Sequence, residues 1–238
     1  MTIAALDKEM VTFENRSQGV PRCRDPVSQR GGGIKVASTA SADVRASPPT
    51  APRFSAKLRI IWQPTVAAVK EAQNRHLVMI PKANEIISAL GMEIVSPVPI
   101  PDTSVPNNDI VDLRSFGADI LSVRQDADKH RSDFPDALRV IPCPFVPTDP
   151  PVFGLTDGGT AASIPALRAF RDFILINVRE TRPDQLTLLH EMIHAATGLT
   201  RKDHHHDPTS VFSESDHRSV LRDAHAEGLS KAFFAGPK

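Results

Sequence analysis

The run Phe173-Ile-Leu-Ile-Asn-Val178 constrains this chain more than any other stretch. It is apolar without alternation, which suits a strand buried on both faces and therefore covered by other elements on each side. A helix follows at once. Pro183 marks its start, with Thr181 as the candidate cap, and it is expected over about Asp184 to Ala196, with Gly198 ending it. Leu186, Leu189, Ile193 and Ala196 share one face at helical spacing, so the helix is amphipathic. A buried strand feeding an amphipathic helix points to an α+β domain.

Upstream, Leu58-Arg-Ile-Ile-Trp62 reads as a first strand, with Trp62 filling the core beside it. Gln63-Pro64 then opens a long helical run. Val66, Val69, Leu77, Ile80, Ala83, Ile86, Ile87 and Leu90 recur through it and past Pro81, and Gly91 stands at the C-cap position. Met92 to Val95 is a second strand; Ala118 to Val123 and Leu138 to Ile141 are shorter strand candidates. Prolines at 97, 99, 101 and 106 make residues 97–108 a loop, and Gly154 to Thr160 reads as another. Asp216 to Phe234 has helical character, with Val220, Leu221, Ala224, Gly228 and Phe234 as packing positions. Residues 1–55 form a tail: Arg30-Gly-Gly-Gly33 and the Pro-rich stretch Ser47 to Pro52 cannot bury enough apolar surface to offset ordering entropy. The organised domain is expected over 56–238.

Charge excludes one class of function. The chain's 28 basic and 28 acidic side chains balance, whereas neutralising a nucleic-acid backbone needs a basic excess. No apolar stretch reaches the roughly 18 residues a membrane helix needs. Asp7, Lys8 and Glu9 interrupt what would be the apolar core of a secretory signal. A soluble protein is expected, with its compartment open and its oligomeric state unspecified. Two cysteines cannot make a disulfide framework, and Cys143, in a mostly apolar stretch, reads as a buried thiol.

Histidine is distributed unevenly. Seven of the nine fall between residues 190 and 225, and His190-Glu191-Met192-Ile193-His194 has the pattern H-E-x-x-H. Residues i and i+4 lie one turn apart on one helix face, so two imidazoles can bind one zinc ion, with Glu191 placed as a general base. With nine His and nine Glu in 238 residues, chance matches are expected on the order of 0.01 per chain. The competing reading is two partly exposed histidines without a metal. A zinc site with an open position needs a third protein ligand. His204, His205 and His206 all stand close downstream, Asp203 and Asp207 flank them, and Asp223 or Glu227 on the last helix are further options.

The segment Leu188-Leu-His-Glu-Met-Ile-His-Ala-Ala-Thr-Gly-Leu199, followed by Asp203-His204, resembles the metzincin zinc endopeptidases. Their pattern is H-E-x-x-H-x-x-G-x-x-H followed by a methionine-containing turn. Asp207-Pro-Thr-Ser-Val-Phe212 is similar to the approach to that turn, and counting back from Phe212 gives His204 as the third ligand. Thr187 to Ala195 is also similar to the zinc helix of SprT-like proteases. The chain departs from the metzincin pattern at three points. Gly198 is four residues past His194 instead of three, His204 is ten past it instead of six, and Phe212 stands where the family has methionine. The resemblance implies a zincin-like mixed, twisted sheet with a long helix in the N-terminal half, a zinc helix and a C-terminal helix.

It also implies zinc-dependent hydrolysis of a protein or peptide substrate. His190, His194 and His204 would hold the metal, and Glu191 would take a proton from water and pass it to the leaving amine. Such enzymes often add a tyrosine or histidine that supports the oxyanion. This chain has no tyrosine, which leaves His205, His206 or His217 for that role. The alternatives are a non-catalytic module stapled by zinc through four protein ligands, and a delivered effector or toxin protease whose tail carries an export address.

Overall fold

The aliphatic runs form a mixed sheet, and its strand order follows from which runs are apolar on both faces. The structure is a computed structural model, and it describes residues 53–96, 111–112, 122, 134–148, 151–156 and 172–237. All of these belong to one unit, Ser47–Lys238. Strands β1 (Ala56–Trp62), β2 (Met92–Val95), β3 (Leu138–Cys143), β4 (Gly154–Thr156) and β5 (Phe173–Asn177) lie in the order β2-β1-β3-β5-β4. β1, β2, β3 and β5 run parallel, and β4 pairs antiparallel with β5. The short β6 (Ala235–Pro237) runs antiparallel beside the start of β1.

β3 and β5 are buried along their whole lengths, with Arg139 the one charged side chain among them and paired to Asp172 at 2.5 Å. Their alternating residues supply two cores. Leu138, Val140, Ile174 and Ile176 join the larger cluster under the helices, while Ile141, Cys143, Phe173 and Leu175 join Val111 and Phe145 on the opposite face. Register keeps like with like, because Val140 pairs with Ile174 and Ile141 with Leu175. Burial holds the Cys143 thiol well above the ordinary thiol range, in keeping with a packing role. Trp62 is fully buried, as expected.

Helix α1 (Val69–Ile87) is flanked by 3-10 turns at Val66–Ala68 and Ser88–Leu90, and Gly91 closes it in the left-handed conformation at φ 86°. It runs through Pro81, an exposed position. Pro81 has no amide hydrogen to donate to the Leu77 carbonyl one turn back, and Leu77 is itself 70% exposed. The buried stripe is Ala72, Met79, Ala83 and Ile87. This differs from the expected periodicity, because Val66 and Leu77 face outward.

Helix α2 (Thr187–Thr197) packs on β4, β5, α1 and a short helix α3 (Asp223–Ser230). It starts three residues later than Pro183 suggests and has no side-chain cap at Leu186. The reason lies in residues 182–185, which close a turn in which the Gln185 amide donates to the Arg182 carbonyl at 3.1 Å. Gln185 is left-handed at φ 58°, a conformation that cannot continue a helix. Thr181 bonds Gln185 and the Arg182 carbonyl and does not cap α2.

Other boundaries shift for tertiary reasons. Gly154–Thr156 is a strand, because β5 offers it a ladder. Of 216–234 only Asp223–Ser230 is α-helical; the Val211 amide bonds the Val220 carbonyl, which draws 219–220 into a bridge with 209–211. Val220 and Ala224 are therefore exposed, and His225, Ala226, Leu229 and Phe234 carry the packing. The loop at 97–108 and the tail lie outside the described residues, except that 53–55 are placed. Phe54 donates its amide to the Leu90 carbonyl at 2.8 Å, and Arg53 pairs with Asp223 at 2.5 Å. Of the expected strand 118–123 only Ser122 is described, and it is helical. No helix among the described residues is long and apolar enough to cross a membrane.

Candidate metal centre

Among the described residues the zinc-type motif lies on the most buried helix. Every residue of α2 from Thr187 to Ala195 is buried, and His190, Glu191 and His194 are 7%, 6% and 4% exposed. The reading of partly exposed surface histidines is thereby corrected. Gly198 ends the helix at φ 70°, with its amide on the His194 carbonyl at 2.8 Å, and so permits the sharp reversal. The chain then makes one 3-10 turn, Arg201–Asp203, closed by a reciprocal capping box between Thr200 and Asp203. That extra turn accounts for the longer spacing between His194 and His204.

His190, His194 and His204 converge. One ring nitrogen from each lies within 4.8 Å of the others, close enough for the three to hold a metal ion. Hydrogen bonds settle which nitrogens face inward. Nδ1–H of His190 donates to the Val211 carbonyl at 2.9 Å, and Nδ1–H of His194 donates to the Leu199 carbonyl at 2.7 Å. Nδ1 of His204 faces a carboxylate oxygen of Glu214 at 3.3 Å. Each acceptor can only receive a proton, so each ring carries its hydrogen on Nδ1 and presents a lone pair on Nε2. Nε2 of His204 stands 3.0 Å from Nε2 of His194. Two neutral rings in these tautomers repel at that distance, and a cation between them removes the conflict. The spacing is near the separation of about 3.3 Å that two nitrogens have around a tetrahedral zinc with bonds of about 2.0–2.1 Å.

Electrostatics favour the neutral form of His190 and of His204. Burial, then the His194 imidazole and the Arg218 guanidinium, push His190 well below its ordinary 6.5. Burial and His194 likewise lower His204, against the opposing pull of Glu214. Neutral imidazole is the form that ligates.

Phe212 forms an apolar floor. Its ring centroid is 5.3 Å from that of His190, 4.7 Å from His194 and 5.0 Å from His204. The site's other wall is β4. A Cβ built on Gly154 would meet Glu191 Cγ and Oε1 at 3.0 Å, so the carboxylate of Glu191 lies directly against that strand. Behind α2, Arg218 and Asp184 form a buried ion pair at 2.6 and 2.8 Å, and Asp184 also accepts the Leu186 amide at 3.0 Å. This pair ties the segment after Phe212 to the start of the motif helix.

The remaining candidates lie elsewhere. Asp203 accepts from Thr200, Asp207 from Thr209 and Arg222, Asp223 from Arg53, and Glu227 from Lys231. His205, His206 and His217 are exposed and outside the three-histidine group, and His205 Nδ1 accepts the Asp207 amide. Sequence reading missed Glu214, Gly154 and the Asp184–Arg218 pair. None carries a local signal, since their partners are 10 to 37 residues away in the chain. Against these observations, no protein-family model matches the chain, and no curated protein matches its sequence.

Proposed function

We propose that this chain is a zinc-dependent endopeptidase of a divergent metzincin-like type, with His190, His194 and His204 as ligands and Glu191 as general base. One observation carries the metal reading: two imidazole lone pairs face each other at 3.0 Å while their Nδ1 hydrogens are committed elsewhere. Zinc bound there supplies Lewis acidity, which acidifies water and polarises a carbonyl. Glu191 accepts the proton of the attacking water and delivers it to the leaving amine. The fold orients both groups. The helix spacing sets the two ligands, the 3-10 turn brings in the third, and β4 holds Glu191 from the side.

Among the described residues β4 ends the strand order next to β5, and its outer edge suits an extended peptide added as a further strand. Phe212 gives the three rings an apolar floor, although the family pattern has methionine at that point of the turn. A purely structural zinc staple would need a fourth protein ligand. Among the described residues the group numbers three, and the nearby carboxylates are engaged elsewhere.

The test compares wild type with Glu191→Gln for zinc content and for cleavage of casein and a peptide library. Zinc should be retained, with turnover falling about 10²–10⁴-fold, as loss of a general base predicts. Equal cleavage by the two proteins would refute the mechanism.

A further inference from the structure

The three imidazoles are not aimed in the same way. His190 and His194 stand on α2 and bond main-chain carbonyls, Val211 at 2.9 Å and Leu199 at 2.7 Å, which no side-chain substitution removes. His204 lies beyond the helix, at the end of the 3-10 turn, and its Nδ1 partner is a side chain. That partner is Glu214 Oε1 at 3.3 Å, and the same oxygen accepts Arg201 Nε at 2.7 Å. The Glu214 backbone is held as well, because Arg182 Nη1 donates to its carbonyl at 2.5 Å and also to the Ser215 carbonyl and Asp216 carboxylate. Arg182 in turn lies over the Phe153 ring at 4.6 Å, next to β4. A carboxylate held by Arg201, on a residue whose backbone is held by Arg182, therefore faces the one ring that regular secondary structure leaves unaimed.

We infer that Glu214 is a positioning residue for the third metal ligand. It fixes the His204 ring, keeps its hydrogen on Nδ1 and so turns Nε2 toward His190 and His194. Carboxylate partners of ligating histidines typically change metal affinity by about 10–100-fold when removed, through ring orientation and ligand basicity. Arg201 acts one step further out by holding the carboxylate, and its own side chain is 68% exposed. This inference rests on the metal reading proposed above, and not on the peptidase activity.

The experiment uses the full chain stripped of metal, with Zn2+ titrated against a chromophoric chelator and Co2+ binding followed by its visible spectrum. Glu214→Ala should bind Zn2+ about 10–100-fold more weakly than wild type and should change the Co2+ bands. Glu214→Gln, whose amide oxygen still accepts from Nδ1–H, should recover most of the affinity. Metal-free thermal midpoints of all three should coincide, since the Glu214 side chain is half exposed. Equal zinc affinity of wild type and Glu214→Ala overturns the role of Glu214 alone, as does a Gln variant as weak as Ala. Failure of the wild type to take up zinc overturns the metal site itself.

Discussion

Replacing Gly154 by alanine probes how the edge strand places Glu191. The glycine has an ordinary backbone conformation, so the substitution acts through space alone. The new Cβ would stand 2.8 Å from Thr187 Cγ2 and 3.0 Å from Glu191 Cγ and Oε1. Comfortable carbon contacts are about 3.5–4.0 Å, so the helix side chains must give way by roughly 0.5–1 Å. Thr187 and Glu191 sit one turn apart on a buried helix backed by α1 and α3, so the helix backbone is held and the two side chains must shift to relieve the contact. A misplacement of about 1 Å in a catalytic group can cost on the order of 10²-fold in rate. Overpacking of this size destabilises by about 1–3 kcal/mol. Gly154→Ala should therefore bind zinc as the wild type does and lower kcat about 10–100-fold, with a modestly reduced thermal midpoint. Adding Thr187→Ser removes the methyl group in the first clash. The double variant should regain stability without regaining kcat. A folded, zinc-loaded Gly154→Ala that turns over at the wild-type rate would refute the idea that β4 positions Glu191.

Two further perturbations address the frame. Burial raises the pKa of the Asp184 carboxyl, but the Arg218 guanidinium and the Leu186 and Arg218 amides outweigh it and hold the group below its ordinary 3.8. The stability this contributes is present above that ordinary value and is lost as pH falls through the lowered one. Asp184→Asn leaves a buried guanidinium unpaired and should cost about 3–5 kcal/mol near pH 7. In denaturant unfolding the difference should shrink as pH drops below about 4, and a gap that stays constant with pH would exclude the ion pair as its source. Phe212→Ala opens a cavity under three imidazoles and should cost about 3–5 kcal/mol, whereas Phe212→Met should cost under about 1.5 kcal/mol and retain zinc. Equal losses in the two variants would show that the floor does not act through packing.

Much of the fold was legible in the sequence wherever the signal is local. The runs at 58–62, 92–95, 138–141 and 173–178 all fall on strands: β3 and β5 are buried throughout, while β1 and β2 keep apolar residues on the buried face and put Arg59 and Glu93 outward. Gly91 and Gly198 both adopt the left-handed conformation at helix ends, which few other residues tolerate. Three-residue β4 carries too little pattern to distinguish it from a loop, and the ladder with β5 decides it. The stretch 216–222 looks helical in isolation but is drawn into backbone bonds with 209–211. Helix α2 begins late because residues 182–185 close a turn with Gln185 left-handed, and Asp184 in that turn is held by Arg218, 34 residues on.

The candidate site divides the same way. The i, i+4 spacing of His190 and His194, with Glu191 between them, is set by helix geometry, so the sequence alone determined those three positions. Among His204, His205, His206 and the carboxylates the residue spacing left the choice open, since all are within reach of a flexible turn, and only the alignment on the metzincin pattern through Phe212 picked His204. The tertiary structure chose His204 through the Gly198 reversal and the capped 3-10 turn, and it engaged Asp203, Asp207, Asp223 and Glu227 elsewhere. It alone supplied Phe212 as the floor, Gly154 as the wall against Glu191 and Glu214 behind His204. Helical spacing is a property of the local chain. Convergence from distant segments depends on how the sheet and helices pack, and no short stretch of residues encodes that.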